Sequence, residues 1–421
     1  MNKLFQSQKV RVLRKKNELT YLFTAGINAL IPFFALPLLT RELNPSDFGV
    51  ITTFTTITLV VATFLRFEVN TVLKKLFAQN IVPLRNLFGA TLTFTTAMFL
   101  LAICFLCILK ISNTMIGGLK VNLWVCIMMV AVCRVPTLTL HNYWHVSRAA
   151  VPYAVWSISA LGGTHLLTLA LVLTVLPDWR ARILVDVLIA FMSFSLALIV
   201  MRRKFDVKLI WDVPLFTKMV KVAVPIFPGA LVITLLFSID RIVLINFVPL
   251  HDLGIYSIAA QFAGITTLLF TALTPPFEAW AYESIRSGAS GMRLVFIKKI
   301  SQFVILGFMF VFIIGALIAW VLPYWVATEF REASSLVIPL MLAFCFFGLF
   351  RMMAVCLICL DKLIFSSVLS CLTLILIALI LTASVPIFGI YGAAYGLLFG
   401  FVIATLSQFF FILASLNVSN K

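Results

Sequence analysis

Apolar residues come in long blocks separated by short polar breaks. The blocks run over residues 20–40, 47–68, 86–109, 121–143, 151–176, 183–201, 218–247, 252–276, 296–322, 333–356, 362–383 and 387–415. Most match or exceed the roughly 20 residues that a helix needs to cross hydrocarbon. Inside a bilayer a helix satisfies every backbone polar group within its own segment. The pattern therefore predicts an all-α polytopic membrane protein with about 12 transmembrane helices. The first block is too long for the core of a cleavable signal and has no clear small-residue cleavage site, so it is expected to stay as the first helix.

Composition agrees with this and removes whole classes of function. Hydrophobic residues make up 62% of the 421 positions and charged residues 11%, against about half and a quarter in an ordinary soluble chain. A soluble enzyme or a secreted disulfide scaffold is excluded. The cysteines at 104, 107, 126, 133, 345, 356, 359 and 371 all lie inside apolar blocks. Cys104-x-x-Cys107 and Cys356-x-x-Cys359 have metal or redox spacing, but each pair is one helical turn within lipid-soluble sequence. They read as packing thiols, and no metal site or cofactor is expected.

The net charge of +17 would suit a nucleic-acid partner, but its distribution gives another reason for it. With the N-terminus in the cytoplasm and sides alternating, 25 of the 32 Lys and Arg residues fall on the cytoplasmic side and 7 on the other. That asymmetry is the positive-inside signal, reinforced by anionic inner-leaflet lipid, so no nucleic acid is needed. It predicts a multi-pass protein of an inner membrane with both termini cytoplasmic. All eight tryptophans fall at or near block ends, where an indole sits at headgroup level.

The basic stretch 202–217 lies near the chain midpoint and separates an N-terminal six-helix bundle, 1–201, from a C-terminal one, 218–421. Pro45-Ser46-Asp47-Phe48-Gly49-Val50 follows the first block, and Pro249-Leu250-His251-Asp252-Leu253-Gly254-Ile255 follows the seventh. Asp47 and Asp252, like Gly49 and Gly254, are 205 positions apart, which suggests a duplicated half. With six helices per half, the repeats are parallel. Pro32 and Pro37 interrupt the first block and Pro225 and Pro228 the seventh, and interrupted helices at matching ranks point toward a substrate path.

Ionisable residues inside spans are costly and tend to face a cavity or a partner. Thr52, Thr56, Thr63 and Arg66 fall within about 40° of one line on an ideal helix. Arg134, Thr137, His141, His145 and Arg148 do the same. So do Thr267, Thr271, Thr274 and Glu278, although Pro275-Pro276 is expected to break the last turn. Thr234, Ser238 and Arg241 share a face with Asp240 about 100° away, open to either an Asp240–Arg241 ion pair or a substrate role. The candidate cavity residues are Arg66, Arg134, His141, Asp240, Arg241, Glu278 and Arg351. His165 and His251 read as a packing and a loop histidine. Gly392, Gly396 and Gly400 form a close-packing ridge.

Several stretches resemble one family. They are Leu43-Asn44-Pro45-Ser46-Asp47-Phe48-Gly49-Val50, Leu65-Arg66-Phe67-Glu68, Ser238-Ile239-Asp240-Arg241-Ile242-Val243, Asp252-Leu253-Gly254-Ile255-Tyr256-Ser257 and Pro386-x-x-Gly389-Ile390-Tyr391-Gly392-Ala393. They are similar to the polysaccharide-transport flippases of the multidrug/oligosaccharidyl-lipid/polysaccharide exporter superfamily. The resemblance implies two pseudo-symmetric six-helix bundles around a cationic central cavity, and no enzymatic activity. The implied substrate is an undecaprenyl-diphosphate-linked oligosaccharide such as an O-antigen repeat unit, moved from the inner to the outer leaflet of the bacterial inner membrane. Membrane lipids, a glycan polymerase and chain-length machinery are the implied partners. One departure is that no charged residue occurs from 363 to 420, where some relatives carry charge.

The rivals are a multidrug extruder of the same superfamily, for which an acidic lumen is expected, and a membrane O-antigen polymerase, for which a large periplasmic loop is expected. A peptidoglycan-precursor flippase needs two more helices than this length readily allows. No ATP-binding P-loop is present, so an ion gradient, the membrane potential or downstream consumption would drive transport.

Overall fold

The structure is a computed structural model that describes residues 2–79, 82–112, 121–209, 211–286 and 292–418. The side chains of the N-terminal basic cluster, and those of Lys120, Arg286 and Lys421, lie outside what is described. Among the described residues there are α-helices, one short 3-10 turn and no strand. In chain order the helices are α1 (Asn2–Glu42), α2 (Pro45–Arg66), α3 (Val69–Ala78), α4 (Leu84–Ser112), α5 (Val121–Val146), α6 (Ala150–Thr174) and α7 (Trp179–Phe205). They continue as α8 (Val213–Phe247), α9 (Leu250–Ala263), α10 (Ile265–Arg286), α11 (Met292–Trp325), α12 (Ala333–Cys359) and α13 (Leu363–Val418).

Among the described residues, eleven stretches are long and apolar enough to cross a membrane. The last, Leu363–Leu416, has 54 residues, more than twice what one crossing needs. It folds at Gly389, whose φ of 56° and ψ of −134° are open only to glycine. This stretch therefore supplies two of the expected helices, and the count reaches twelve. On its far side Gly396 and Gly400 pack against Leu381 and Ile377 of the first arm, as small residues do where helices meet in lipid.

The chain forms two compact units, Met1–Glu42 with Phe54–Thr234, and Leu43–Thr53 with Leu235–Lys421. In the first, an apolar core joins α3, α4, α5, α7 and the start of α8 through Val72, Leu73, Leu87, Phe88, Leu140 and Met201. Helix α1 lies along α6, with Asn28 Nδ2 donating to Ser157 Oγ at 2.7 Å and Tyr21 edge-on to Tyr153. The end of α2 meets α8 through Phe64 and Phe67 on Phe227.

In the second unit α12 is the central helix, with most of its residues buried. The first turns of α2 cross α9, and Phe48 stands edge-on to Phe330 at 5.2 Å. The crossing is made at Gly49 and Gly254: a Cβ on Gly49 would strike the Leu250 carbonyl, and one on Gly254 the Pro45 carbonyl. The two glycines paired by the sequence repeat thus meet at a single helix crossing.

One local expectation needs correction, and one short helix was not expected. Helix α10 runs unbroken through Pro275 and Pro276; Thr274 Oγ donates to the Phe270 carbonyl at 2.7 Å, and the bilayer leaves helix as the favoured backbone. The interruption falls earlier, at Gly264, where α9 gives way to α10. The segment between Arg66 and Arg85 is not plain loop but holds α3, entered through left-handed Phe67 and Glu68.

Candidate functional site

Within the first unit, α5, α6 and α7 line an open cavity of about 340 Å³. Its lining includes Arg134, Thr137 and His141 from α5, Trp156, Ser157 and Thr164 from α6, and Asp186 and Ser193 from α7. Arg134 to His141, Ser157 to Thr164 and Asp186 to Ser193 are each seven residues, about 10 Å of helix. Because α6 runs opposite to α5 and α7, Arg134, Thr164 and Asp186 fall at one end of the cavity. His141, Ser157 and Ser193 fall at the other.

The first end is ionic. Arg182 Nε donates to Asp186 Oδ2 at 3.3 Å, and its Nη1 lies 3.5 Å from His165 Nδ1. Asp186 is buried and Arg182 partly so, with side chains 9% and 16% exposed. Arg134 is exposed on its helix and forms no hydrogen bond or ion pair with the described residues. Asp186 attracts it and Arg182 repels it.

The second end is neutral and aromatic. His141 stacks on Tyr153 with ring centroids 4.0 Å apart, and Trp156 stands edge-on to Trp144. Two buried polar atoms there find no partner among the described residues, His141 Nε2 and Asn28 Oδ1, the latter on the amide that holds Ser157. Buried polar atoms without partners are rare in folded proteins. The helix hydroxyls mostly bond their own turns, as Thr137 does to the Cys133 carbonyl at 2.8 Å and Thr164 to that of Ala160.

Of the seven residues singled out from sequence, the cavity lining contains Arg134 and His141 and none of the other five. Arg66 ends α2 and pairs with Glu68 at 3.4 Å. Beside them, burial pulls the Lys74 ammonium below the ordinary lysine value, Glu68 opposing the shift and Arg66 adding to it. Glu278 is exposed. Arg351 lies over the Phe347 ring at 5.9 Å. The sequence reading missed Asp186, Arg182 and the Asn28–Ser157 contact. Asp186 sits inside the apolar run of α7, so the rule for intramembrane charges that picked Arg134 also selects it.

Asp240 and Arg241 do not pair. Asp240 is 1% exposed, and its Oδ2 accepts a 2.7 Å hydrogen bond from the Tyr256 hydroxyl. Arg241 turns back to the Phe237 carbonyl at 3.3 Å and over its ring. The Asp-Arg and Gly-Ile-Tyr-Ser stretches are therefore joined physically, through the buried carboxylate and the phenol. Removing one partner of a buried charged hydrogen bond leaves the other unsatisfied. Tyr256→Phe is expected to cost about 3 kcal/mol and lower the melting temperature of the purified protein. Adding Asp240→Asn should recover part of that loss, which a double-mutant cycle measures.

Residues 15–276 match the family model described as "Polysaccharide biosynthesis protein". The chain belongs to this family. A search of the curated proteins finds no match. Among solved structures, the fold is similar to the inward-facing conformation of a multidrug resistance MATE family transporter of the MOP superfamily. That likeness has 11% identity and a TM-score of 0.64, covering 93% of this chain and 95% of that one. It is also similar to the lipid II flippase MurJ in an inward closed conformation, at 10% identity and a TM-score of 0.60, covering 94% of this chain and 87% of that one. A mutant Vibrio cholerae MATE transporter, VcmN, gives 15% identity and a TM-score of 0.54, covering 97% and 98%. The family and these neighbours agree with the all-α multi-pass fold; at such low identity the structural likeness speaks to fold.

Proposed function

We propose that this polysaccharide biosynthesis family member is a flippase for an undecaprenyl-diphosphate-linked oligosaccharide, an O-antigen or similar repeat unit. It would carry that unit from the inner to the outer leaflet of the bacterial inner membrane by alternating access. The carrying observation is the cavity itself, where an unpaired arginine at one end adjoins a neutral, aromatic end with two unpartnered polar atoms.

A diphosphate crosses hydrocarbon only if its charge is met, because buried unpaired charge is very costly. The Arg134 guanidinium is free to hold phosphate oxygens bidentately. At the other end His141, Ser157 and the Trp156 ring suit the hydroxyls and apolar face of a sugar. The lipid tail stays in the bilayer while the head passes through protein. Transport in this scheme involves no covalent step and no cofactor, and a glycan polymerase and chain-length machinery would take up the delivered unit.

Deleting the gene should stop surface glycan while lipid-linked units accumulate on the inner leaflet, as read by extraction and mass spectrometry of the lipid-linked pool. Normal delivery without the protein, in a strain with no redundant flippase, would refute the assignment. The fold likeness to a multidrug transporter favours a second reading, drug extrusion. A drug-sensitivity phenotype with intact glycan would select it.

Sidedness has its own check. Both termini and the 202–217 segment are expected in the cytoplasm. Single cysteines placed at positions 2, 208 and 250 in a cysteine-free background should react with an impermeant external thiol reagent only at 250. Labelling of 208 but not 250 would reverse the topology.

A further inference from the structure

The cavity has an internal acid that the substrate reading leaves without a role. We propose that Asp186 is an exchangeable counter-ion, a stand-in for the diphosphate that holds Arg182 while the cavity is empty and displaces the diphosphate when the lipid leaves. The inference rests on the reading of the cavity as a diphosphate site and adds to it the means of release.

Three observations carry it. Asp186 is buried and its carboxylate oxygen reaches Arg182 Nε at 3.3 Å, so one cation is already neutralised inside the apolar span. Arg134 lines the same cavity as Asp186 and has no hydrogen-bond or ion-pair partner among the described residues, so it is available to the first anion that enters. His165 lies 3.5 Å from Arg182 Nη1, so two edges of the guanidinium are already engaged. A diphosphate needs more than one cation to lose its charge, and a guanidinium edge that holds a carboxylate is not free for a phosphate. Arg182 itself lies outside the cavity lining, which Asp186 reaches, so full binding requires Asp186 to give up Arg182 and let it turn toward the diphosphate. It can do so locally, because the two residues are one turn apart on α7 and a rotamer change separates them.

Return of the carboxylate to Arg182 then takes back the edge that held phosphate. An empty cavity without Asp186 would leave the part-buried Arg182 without its carboxylate, which costs free energy. The acid thus makes the empty state stable and the loaded state reversible. The pair also sits within the first two turns of α7, which starts at Trp179, the end that the charge distribution assigns to the outer side.

The test is equilibrium binding of a fifteen-carbon prenyl diphosphate to the full-length protein in detergent, beside delivery of lipid-linked units in cells. Asp186→Asn should bind about tenfold more tightly, the equivalent of one charged hydrogen bond freed for the ligand, and should deliver poorly. Asp186→Glu should restore both values toward wild type. Should Asp186→Asn fold badly in a thermal melt, Asp186→Ser serves as the second neutral variant. Unchanged or weaker binding by a folded neutral variant, with wild type binding normally, overturns the counter-ion role and leaves the flippase reading standing. No binding by wild type removes the diphosphate reading and the counter-ion with it.

Discussion

Replacing Gly254 with alanine is expected to remove most folded protein from the membrane. The added methyl would run into the Pro45 carbonyl and lie 3.1 Å from the Gly49 nitrogen. Both obstacles are backbone, so no side chain can swing aside. The helices would have to part, and the Phe48–Phe330 contact would open with them. Overpacking usually costs about 1–3 kcal/mol, and a clash against two backbones belongs at or above the upper end. Gly49→Ala meets the Leu250 backbone in the same way and should behave alike. Gly26→Ala and Gly229→Ala are the controls, since nothing lies within 4 Å of a Cβ at either position. Yield and melting temperature by fluorescence-detected size exclusion measure all four. Wild-type values for Gly254→Ala would mean that α2 and α9 cross at a greater distance.

The same crossing shows how far the sequence could be read. The 205-residue offset paired Gly49 with Gly254 and Asp47 with Asp252, but a repeat gives correspondence and not contact. That the two glycines touch needed coordinates. The spans were legible because lipid demands uninterrupted apolar runs, so even the fold at Gly389 was foreshadowed by the split between 362–383 and 387–415. The prolines misled. A proline pair reads as a breaker in water, whereas in a bilayer the cost of unbonded backbone keeps α10 helical, and the interruption falls at Gly264 instead. Helix α3 was missed although Val69, Val72, Leu73 and Leu76, all buried, follow helical spacing. Its ten residues are too few to span and were hidden among charges.

The site was only half legible for a different reason. Depth along a helix can be counted, so Arg134 stood out. Partnership cannot, so an Asp240–Arg241 ion pair stood open beside a substrate role because the two are neighbours in sequence. On a helix adjacent residues point about 100° apart. Tyr256, sixteen positions away, is the true partner of Asp240.

Arg134→Ala is expected to abolish delivery of lipid-linked units while the protein stays at its normal level. The side chain makes no hydrogen bond or ion pair with the described residues, so its removal strands no buried partner, unlike truncation at Asp240 or Tyr256. The only structural loss is packing of its aliphatic stem. What disappears is the one unpaired cation in the cavity lining, and with it the means of meeting phosphate charge in the span. Arg134→Lys keeps a point charge but not the planar fork, so it should retain partial activity, with a weaker prenyl diphosphate affinity. Arg134→Gln keeps hydrogen bonding without charge and should resemble alanine. The order Arg, Lys, then Gln and Ala in delivery, at equal protein level, marks electrostatic recognition of an anion. Full delivery by a well-expressed Arg134→Ala variant would take the diphosphate out of this cavity.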